Sequence, residues 1–187
     1  KNLIFIDGTF GDGNHTRALL EKNKTCKVYA IDRDPNVKHN ATFFKKKYNE
    51  RFKFILGKIS DLENIALNEN LKNKVSGILF DLGVSTRQLK DEKRGFSFQK
   101  DSVLDMRMGE SKETAADFLN TKNEKEISEI LFNYGEERSS RKIAKAIINF
   151  RKKKKIEKTF ELVELIKSVK RPSKRKIINP ATKTFQA

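Results

Sequence analysis

Scarcity is informative in this 187-residue chain, which holds one cysteine, Cys26, no tryptophan, two histidines and three prolines. A lone cysteine excludes an internal disulfide and points to a reducing compartment, read as cytoplasmic. Two separated histidines and one cysteine form no cluster with metal-ligand spacing, so no metal is expected. No apolar run approaches the ~18 residues that a membrane span needs, and no signal-peptide pattern is visible, so no membrane role is expected. Acid is also short, at 25 Asp and Glu against 41 Lys and Arg, a net charge of +16. That excess favours a polyanionic partner such as RNA, through phosphate contacts and counterion release, over a merely lysine-rich usage. With 36% hydrophobic and 35% charged residues the composition is still globular, and the length suits one domain or one domain with a sizeable insertion. The chain opens on Lys1, at the threshold of its first strand, so missing sequence upstream is expected.

What is present is organised around one stretch, Leu3 to His15, Leu-Ile-Phe-Ile-Asp-Gly-Thr-Phe-Gly-Asp-Gly-Asn-His. An apolar β-type run ends in an acid, Gly8, Gly11 and Gly13 follow, and a helix-like segment begins. Strand, glycine turn and helix in that order open a nucleotide-binding α/β unit. Glycine suits the turn because a side chain would hold the backbone away from a ligand and forbid positive φ. The spacing is G-x-x-G-x-G rather than the dinucleotide G-x-G-x-x-G, so spacing alone leaves both a ligand site and a plain tight turn open.

Beyond it the first half alternates. Asn14 to Lys22 reads as a helix with Ala18, Leu19 and Leu20 inward. Lys27 to Asp32, Phe52 to Leu56 and Val75 to Asp81 read as strands, and Asp61 as the cap of a helix running to Leu71. Asp32 lies about 20 residues past the glycines, where α/β nucleotide sites carry a carboxylate for ribose hydroxyls. Asp34 before Pro35 reads as a structural helix cap. Parallel βαβ units bind ligands at the carboxyl ends of their strands, so Asp7, Asp32 and Asp81 should meet on one edge of the sheet.

From Leu82 to about Glu110 the periodicity stops, and Phe96, Phe98, Leu104, Met106 and Met108 are expected to wall a pocket, as long irregular segments commonly do. From Thr114 the period turns helical. Ile127, Ile130, Leu131 and Tyr134 form one stripe, Ile143, Ile147 and Phe150 a second, and Phe160, Val163, Ile166 and Val169 a third, all expected as core. Helices interrupting an α/β alternation predict an inserted helical subdomain. It carries the densest positive charge, Arg151 to Lys155 and Lys170-Arg171 with Lys174-Arg175-Lys176, expected to face RNA.

With these segments placed, the sequence resembles the bacterial small-subunit ribosomal RNA cytosine-N4 methyltransferase family, the MraW type. The matching motifs are Asp7-Gly8-Thr9-Phe10-Gly11 with Gly13 and His15; Ala30-Ile31-Asp32-Arg33-Asp34-Pro35; Asp81-Leu82-Gly83-Val84-Ser85 with Gln88-Leu89; and Arg94-Gly95-Phe96-Ser97-Phe98. They continue in family order with Leu104-Asp105-Met106-Arg107-Met108, Tyr134-Gly135-Glu136-Glu137-Arg138, and Asn179-Pro180-Ala181-Thr182 with Thr184-Phe185-Gln186-Ala187. The resemblance implies an S-adenosylmethionine-dependent class I methyltransferase: an α/β, Rossmann-like parallel sheet, here its first four strands, with an inserted helical substrate-recognition domain. Its implied domains are 1–112, the first part of the cofactor-binding domain, 113–176, the insertion, and 177–187, a truncated return. The implied product is N4-methylcytosine in the decoding centre of the small subunit, with that RNA or the assembled subunit as partner.

Carried over position by position, the cofactor contacts would be Gly13, Asn14 and His15, Asp32 on the ribose, Ile59 near the adenine, then Asp81 and Gln88. Asn14 replaces the usual glycine, Ile59 stands where an aromatic is common, and Thr86-Arg87 replaces Ser-Pro. Asp81, at its strand end, is the expected catalytic residue, as an acceptor for the amine hydrogens of the target cytosine. Phe96 and Phe98 are the expected stacking partners for a base that must be presented unstacked. A class I sheet has seven strands, so the chain is expected to be a fragment and a poor catalyst by itself. Two other functions stay open: a non-catalytic RNA-binding remnant of such an enzyme and, with the wrong glycine spacing, a nicotinamide-dependent oxidoreductase.

Overall fold

In the structure, a computed structural model that describes residues 2–170 and 179–187, the first half of the chain folds as predicted into parallel strands. These are β1 (Ile4–Asp7), β2 (Lys27–Asp32), β3 (Phe52–Leu56) and β4 (Gly77–Leu79), in the order β3-β2-β1-β4. The crossovers carry α1 (Asn14–Lys22) and α2 (Lys38–Tyr48) between the first three strands, then α3 (Leu62–Asn68) before β4. The register pairs Asp7 with Ala30 on one side and with Leu79 on the other, so β1 is central. Successive strands run outward from β1 to β3, and the chain then returns to the far side of β1. Such a reversal opens a crevice at the carboxyl ends, where α/β sheets bind ligands. β1 and the inner part of β2 read as nearly continuous apolar runs because both faces are covered. Phe10, Leu20, Val28, Ala30, Phe44 and Phe52 fill one side, and Ile6, Ile31 and Leu71 the other.

Several boundaries differ from expectation for local reasons. The fourth strand is Gly77–Leu79 rather than Val75 to Asp81, because its partner β1 is short and gives way to the glycine turn. Beyond the ladder, the Asp81 amide donates to the Thr9 hydroxyl at 2.7 Å instead of to a carbonyl. α3 stops at Asn68, where Asn70 turns left-handed at φ 54° and the Leu71 amide bonds back to the Ala66 carbonyl. Asp61 precedes α3 without a side-chain capping bond. In α1 the inward residues are Thr16 and Leu20, while Ala18 is exposed.

Packing divides the chain into two units, the described residues of Lys1–Ser85 with Met108–Glu110 and those of Thr86–Arg107 with Ser111–Ala187. The second holds α4 (Thr86–Lys90), α5 (Ala115–Thr121), α6 (Glu124–Asn133), α7 (Ser140–Arg151), α8 (Thr159–Val169) and α9 (Thr182–Gln186). Thr114 with Asp117 and Asn123 with Glu126 form capping boxes that start α5 and α6. Ile127, Leu131, Ile143, Ile147, Val163 and Ile166 are buried in its core, as their helical spacing predicts, and Leu162 is buried with them. Tyr134 and Phe160 are not. Tyr134 follows the last residue of α6 and is 70% exposed, and Phe160, 43% exposed, lies off the buried face of α8 formed by Thr159, Leu162, Val163 and Ile166.

From 86 to 107 the stretch expected to wall a pocket packs with these helices, while Met108 lies with the first unit. Leu104 is fully buried in the helical core, with Phe98 and Met106 against it. The Leu104 amide donates to the Glu157 carbonyl, and Leu104 in turn accepts from Ala116. Ala181 and Phe185 join the same core, and Phe185 meets the Phe98 ring edge-on at 5.2 Å. Residues 86–107 and 179–187 thus lie with the helical unit, whereas the implied division assigns them to the sheet domain. Apolar side chains on short irregular segments need a partner surface, and the helices supply it. Among the described residues no helix is long and apolar enough to cross a membrane.

Candidate functional site

The glycine turn is fastened at three points to the carboxyl edge of the sheet. Asp7, at the end of β1, is fully buried; it accepts the Thr16 hydroxyl at 2.7 Å and the Thr9 amide at 3.2 Å. Asp32, at the end of β2, accepts the Gly11 amide on Oδ2 at 2.7 Å and the Asp34 amide on Oδ1 at 2.9 Å. Thr9 accepts the Asp81 amide just past β4. The three acids therefore share one edge, as their strand-terminal positions predict, but they do different work. Asp7 is a structural clamp turned inward, Asp32 ties the turn to β2, and Asp81 is exposed.

The glycines also divide their labour. Gly11 and Gly13 adopt left-handed φ of 50° and 78°. A Cβ on Gly11 would meet only the Thr9 carbonyl, at 3.9 Å, so the outer side of the turn is open, whereas one on Gly13 would strike Phe44 and Phe10. Gly8 is favoured by packing, since a Cβ there would crowd the Phe80 ring and come within 3.3 Å of Ile59. Asn14 is the first residue of α1 and has no positive φ, so no glycine is required at its position.

His15, on the first turn of α1, brings Nε2 to 3.2 Å from Asp81 Oδ2, a hydrogen bond in the tautomer that carries the proton on Nε2. Both side chains are more than half exposed. Ile59 lies in a short turn before α3, 40% exposed, beside Gly8. Gly13, Asn14, His15, Asp32, Ile59 and Asp81 therefore all belong to the first unit, around one turn. Gln88 lies on α4 of the second unit and is buried. Asp34 is the expected cap: its carboxylate accepts the Asn36 amide at 3.0 Å with Pro35 at the first position of a short helical turn. Thr9 and Thr16, which orient Asp81 and Asp7, were not singled out by the sequence. Their signal is a hydroxyl directly after Gly8 and another on the inward face of an otherwise apolar helix side.

Burial pushes the Asp7 carboxyl above its usual range, against the opposing pull of its Thr16 and Thr9 hydrogen bonds. The folded chain then holds this proton more tightly than the unfolded chain does. The resulting stabilisation is complete below the unfolded value of 3.8 and is lost as pH rises through the folded value. Asp7→Asn should remove that dependence, flattening the stability profile just above pH 3.8. Denaturant unfolding at a series of pH values checks it, and an unchanged profile would refute it.

One expected feature is corrected. Phe96 is buried, with the Arg94 guanidinium 5.4 Å from its ring centre, so it presents no open face to a base. In the basic run, Arg151 donates to the carbonyls of Leu119 and Lys122, closing the end of α5, and Lys154 pairs with Glu161. Lys152, Lys153 and Lys155 remain exposed. The second run lies outside the described residues except for Lys170, which bonds the buried Glu137 at 2.5 Å and the Pro180 carbonyl. Among the described residues no group of His, Cys, Asp or Glu could hold a metal ion.

A sequence profile described as the MraW methylase family matches residues 1–187. Curated relatives named ribosomal RNA small subunit methyltransferase H are similar to nearly the whole chain. The protein of Ehrlichia canis (strain Jake) is 49% identical over 188 residues, 98% of this chain and 62% of the relative. That of Wolbachia sp. subsp. Drosophila simulans (strain wRi) is 46% identical, again over 98% and 62%. That of Rhodospirillum rubrum is 44% identical over 98% of this chain and 56% of its own length. The chain thus spans about three-fifths of the length of these curated relatives.

Proposed function

Since this chain belongs to the MraW methylase family, we propose that it binds S-adenosylmethionine over the glycine turn and serves methylation of N4 of a cytosine in small-subunit ribosomal RNA, in the cytoplasm. The observation that carries the reading is the fastening of one turn to β1, β2 and β4 by Asp7, Asp32 and Thr9, with its outer side open at Gly11.

The residues suit this cofactor chemically. A carboxylate offers about four acceptor sites; Asp32 spends two on backbone amides, and two are left for ribose hydroxyls. Ile59 beside Gly8 offers aliphatic surface to an adenine. Gly13, Asn14 and His15 bring the start of α1, a source of backbone donors, to the same turn. Carboxylates at the edge suit a sulfonium cation. When bound, the cofactor supplies an electrophilic methyl group on a positively charged sulfur, which needs no metal.

The chain's own residues do the rest by position and proton handling. Cytosine N4 is a poor nucleophile because its lone pair is delocalised into the ring. Asp81, its amide held by Thr9 and its carboxylate exposed, accepts a hydrogen bond from the amine and helps localise that pair. His15 holds the same carboxylate until the base arrives. The gain is one of orientation and charge rather than covalent catalysis.

Calorimetry with S-adenosylmethionine and, separately, with NAD tests the reading. Binding of the first and not the second is expected, with Asp81→Asn weakening the first by about tenfold, the worth of one charged hydrogen bond. Comparable binding of NAD, or no binding of S-adenosylmethionine, would overturn it. Loss of methyl transfer in Asp81→Asn beyond its loss of affinity would separate the catalytic role from the binding role.

A further inference from the structure

Outside the cofactor turn, the outer face of α7 is strongly unbalanced in charge. Between Arg138 and Ile156 there are nine Lys and Arg and no Asp or Glu. Arg141, Lys142 and Lys145 are exposed. At 3.6 residues per turn they share a sector of about 100°, opposite the buried Ser140, Ile143, Ala144 and Ile147.

Stability does not account for this stripe. Arg141 and Lys142 stand in the first turn of α7, where the helix dipole disfavours cations, and the Ser139 side chain makes no capping bond. Lys145 follows them at spacings of three and four, at which like charges repel. Several acids on and near the neighbouring helices are spent elsewhere. Glu126 closes the capping box of α6, Glu129 pairs with Lys125 and Glu161 with Lys154. Glu137, just before α7, is taken by Lys170 and the Ser139 amide. Among the described residues no ion pair reaches Arg141, Lys142 or Lys145.

At the turn that leads from α6 into α7, two aromatic side chains are turned to solvent, Phe132 at 59% and Tyr134 at 70% exposure. Exposed aromatic side chains a few residues ahead of an uncompensated row of cations supply the two components of a single-strand nucleic-acid platform. The rings take bases of any identity, and the cations track the phosphates.

We propose that Arg141, Lys142 and Lys145 on α7, with Phe132 and Tyr134 before them, form a docking face for single-stranded RNA. The proposal rests on the reading of ribosomal RNA as substrate and adds where an unpaired strand is held. It also moves the RNA contact from the Arg151 to Lys155 run, part of which is occupied internally, to the outer side of α7.

Anisotropy with a short fluorescein-labelled single-stranded RNA, over a range of salt, tests it on the 187-residue protein. The triple variant Arg141→Gln, Lys142→Gln, Lys145→Gln should lower the slope of log affinity against log salt by about two, at roughly 0.7 per phosphate contact. A charge-matched control, Lys24→Gln, Lys72→Gln, Lys74→Gln, should change the slope far less. Phe132→Ala with Tyr134→Ala should weaken single-stranded RNA at least about tenfold while leaving a fully paired RNA duplex nearly unaffected. Equal slopes for the two triple variants, tighter binding to phosphatidylserine vesicles than to RNA, or no RNA binding by the parent protein would each overturn the proposal. S-adenosylmethionine calorimetry on the same variants separates the two readings. Retained cofactor binding with unchanged RNA binding defeats only the docking face, and lost cofactor binding in the parent with stripe-dependent RNA binding defeats only the methyl-transfer reading.

Discussion

Gly95→Ala should destabilise the helical unit by about 3 kcal/mol or more, as the sum of left-handed strain and overpacking against backbone. Gly95 has φ 67°, and a Cβ there would lie 2.3 Å from the Val103 carbonyl oxygen and 3.0 Å from the Asp105 amide nitrogen. Those atoms are backbone and are pinned. Leu104 is bonded to Glu157 and Ala116, Asp105 accepts from Ala115, and the Met106 amide returns to the Arg94 carbonyl beside Gly95. Neither rotamer change nor a local shift relieves the clash without breaking a bond in a buried layer. Against a total stability of about 5–15 kcal/mol for an ordinary domain, the loss is large. Urea unfolding followed by circular dichroism measures it. Gly57→Ala serves as the comparison, since its Cβ would meet only the flexible end of Ile65 at 3.2 Å. A change at Gly95 no larger than that at Gly57 would show that the two motifs do not interlock in this way.

Asp32→Ala should weaken S-adenosylmethionine binding by about a hundredfold, equivalent to about 3 kcal/mol. The substitution acts twice. It removes the acceptor for ribose hydroxyls and also releases the Gly11 and Asp34 amides, so the turn loses its tie to β2. Asp32→Asn keeps one acceptor oxygen and the side-chain shape, so a loss nearer tenfold is expected. Calorimetry gives both affinities, and the order alanine, asparagine, wild type is the expected ranking. Wild-type affinity in Asp32→Ala would remove the ribose role and revive the non-catalytic RNA-binding reading.

The sheet was legible because its signals are local. β1, β2 and β3 fall where the apolar runs predict, since each run is bounded by an acid, a glycine turn or a polar stretch. Asp34-Pro35 announced its own cap for the same reason: the capping bond spans two residues. The helical stripes of α6, α7 and α8 were visible as period, but Tyr134 shows the limit, because a period carries no information about where the helix stops.

Residue order alone determined that this chain builds a parallel α/β unit with a glycine turn, acids at its strand ends and a basic helical part. Tertiary structure decided which acid is buried, which glycine is fixed by packing, and which cations are already occupied. Asp7 and Asp81 look alike at the ends of apolar runs, yet only the position of Thr16 across the turn makes one a clamp, while the other stays open to solvent. Arg151 and Lys152 are neighbours in a run, yet one meets the carbonyls ending α5 and the other faces water. The reason is physical: desolvation and hydrogen-bond partnership depend on groups far apart in the chain, and only folding brings them together.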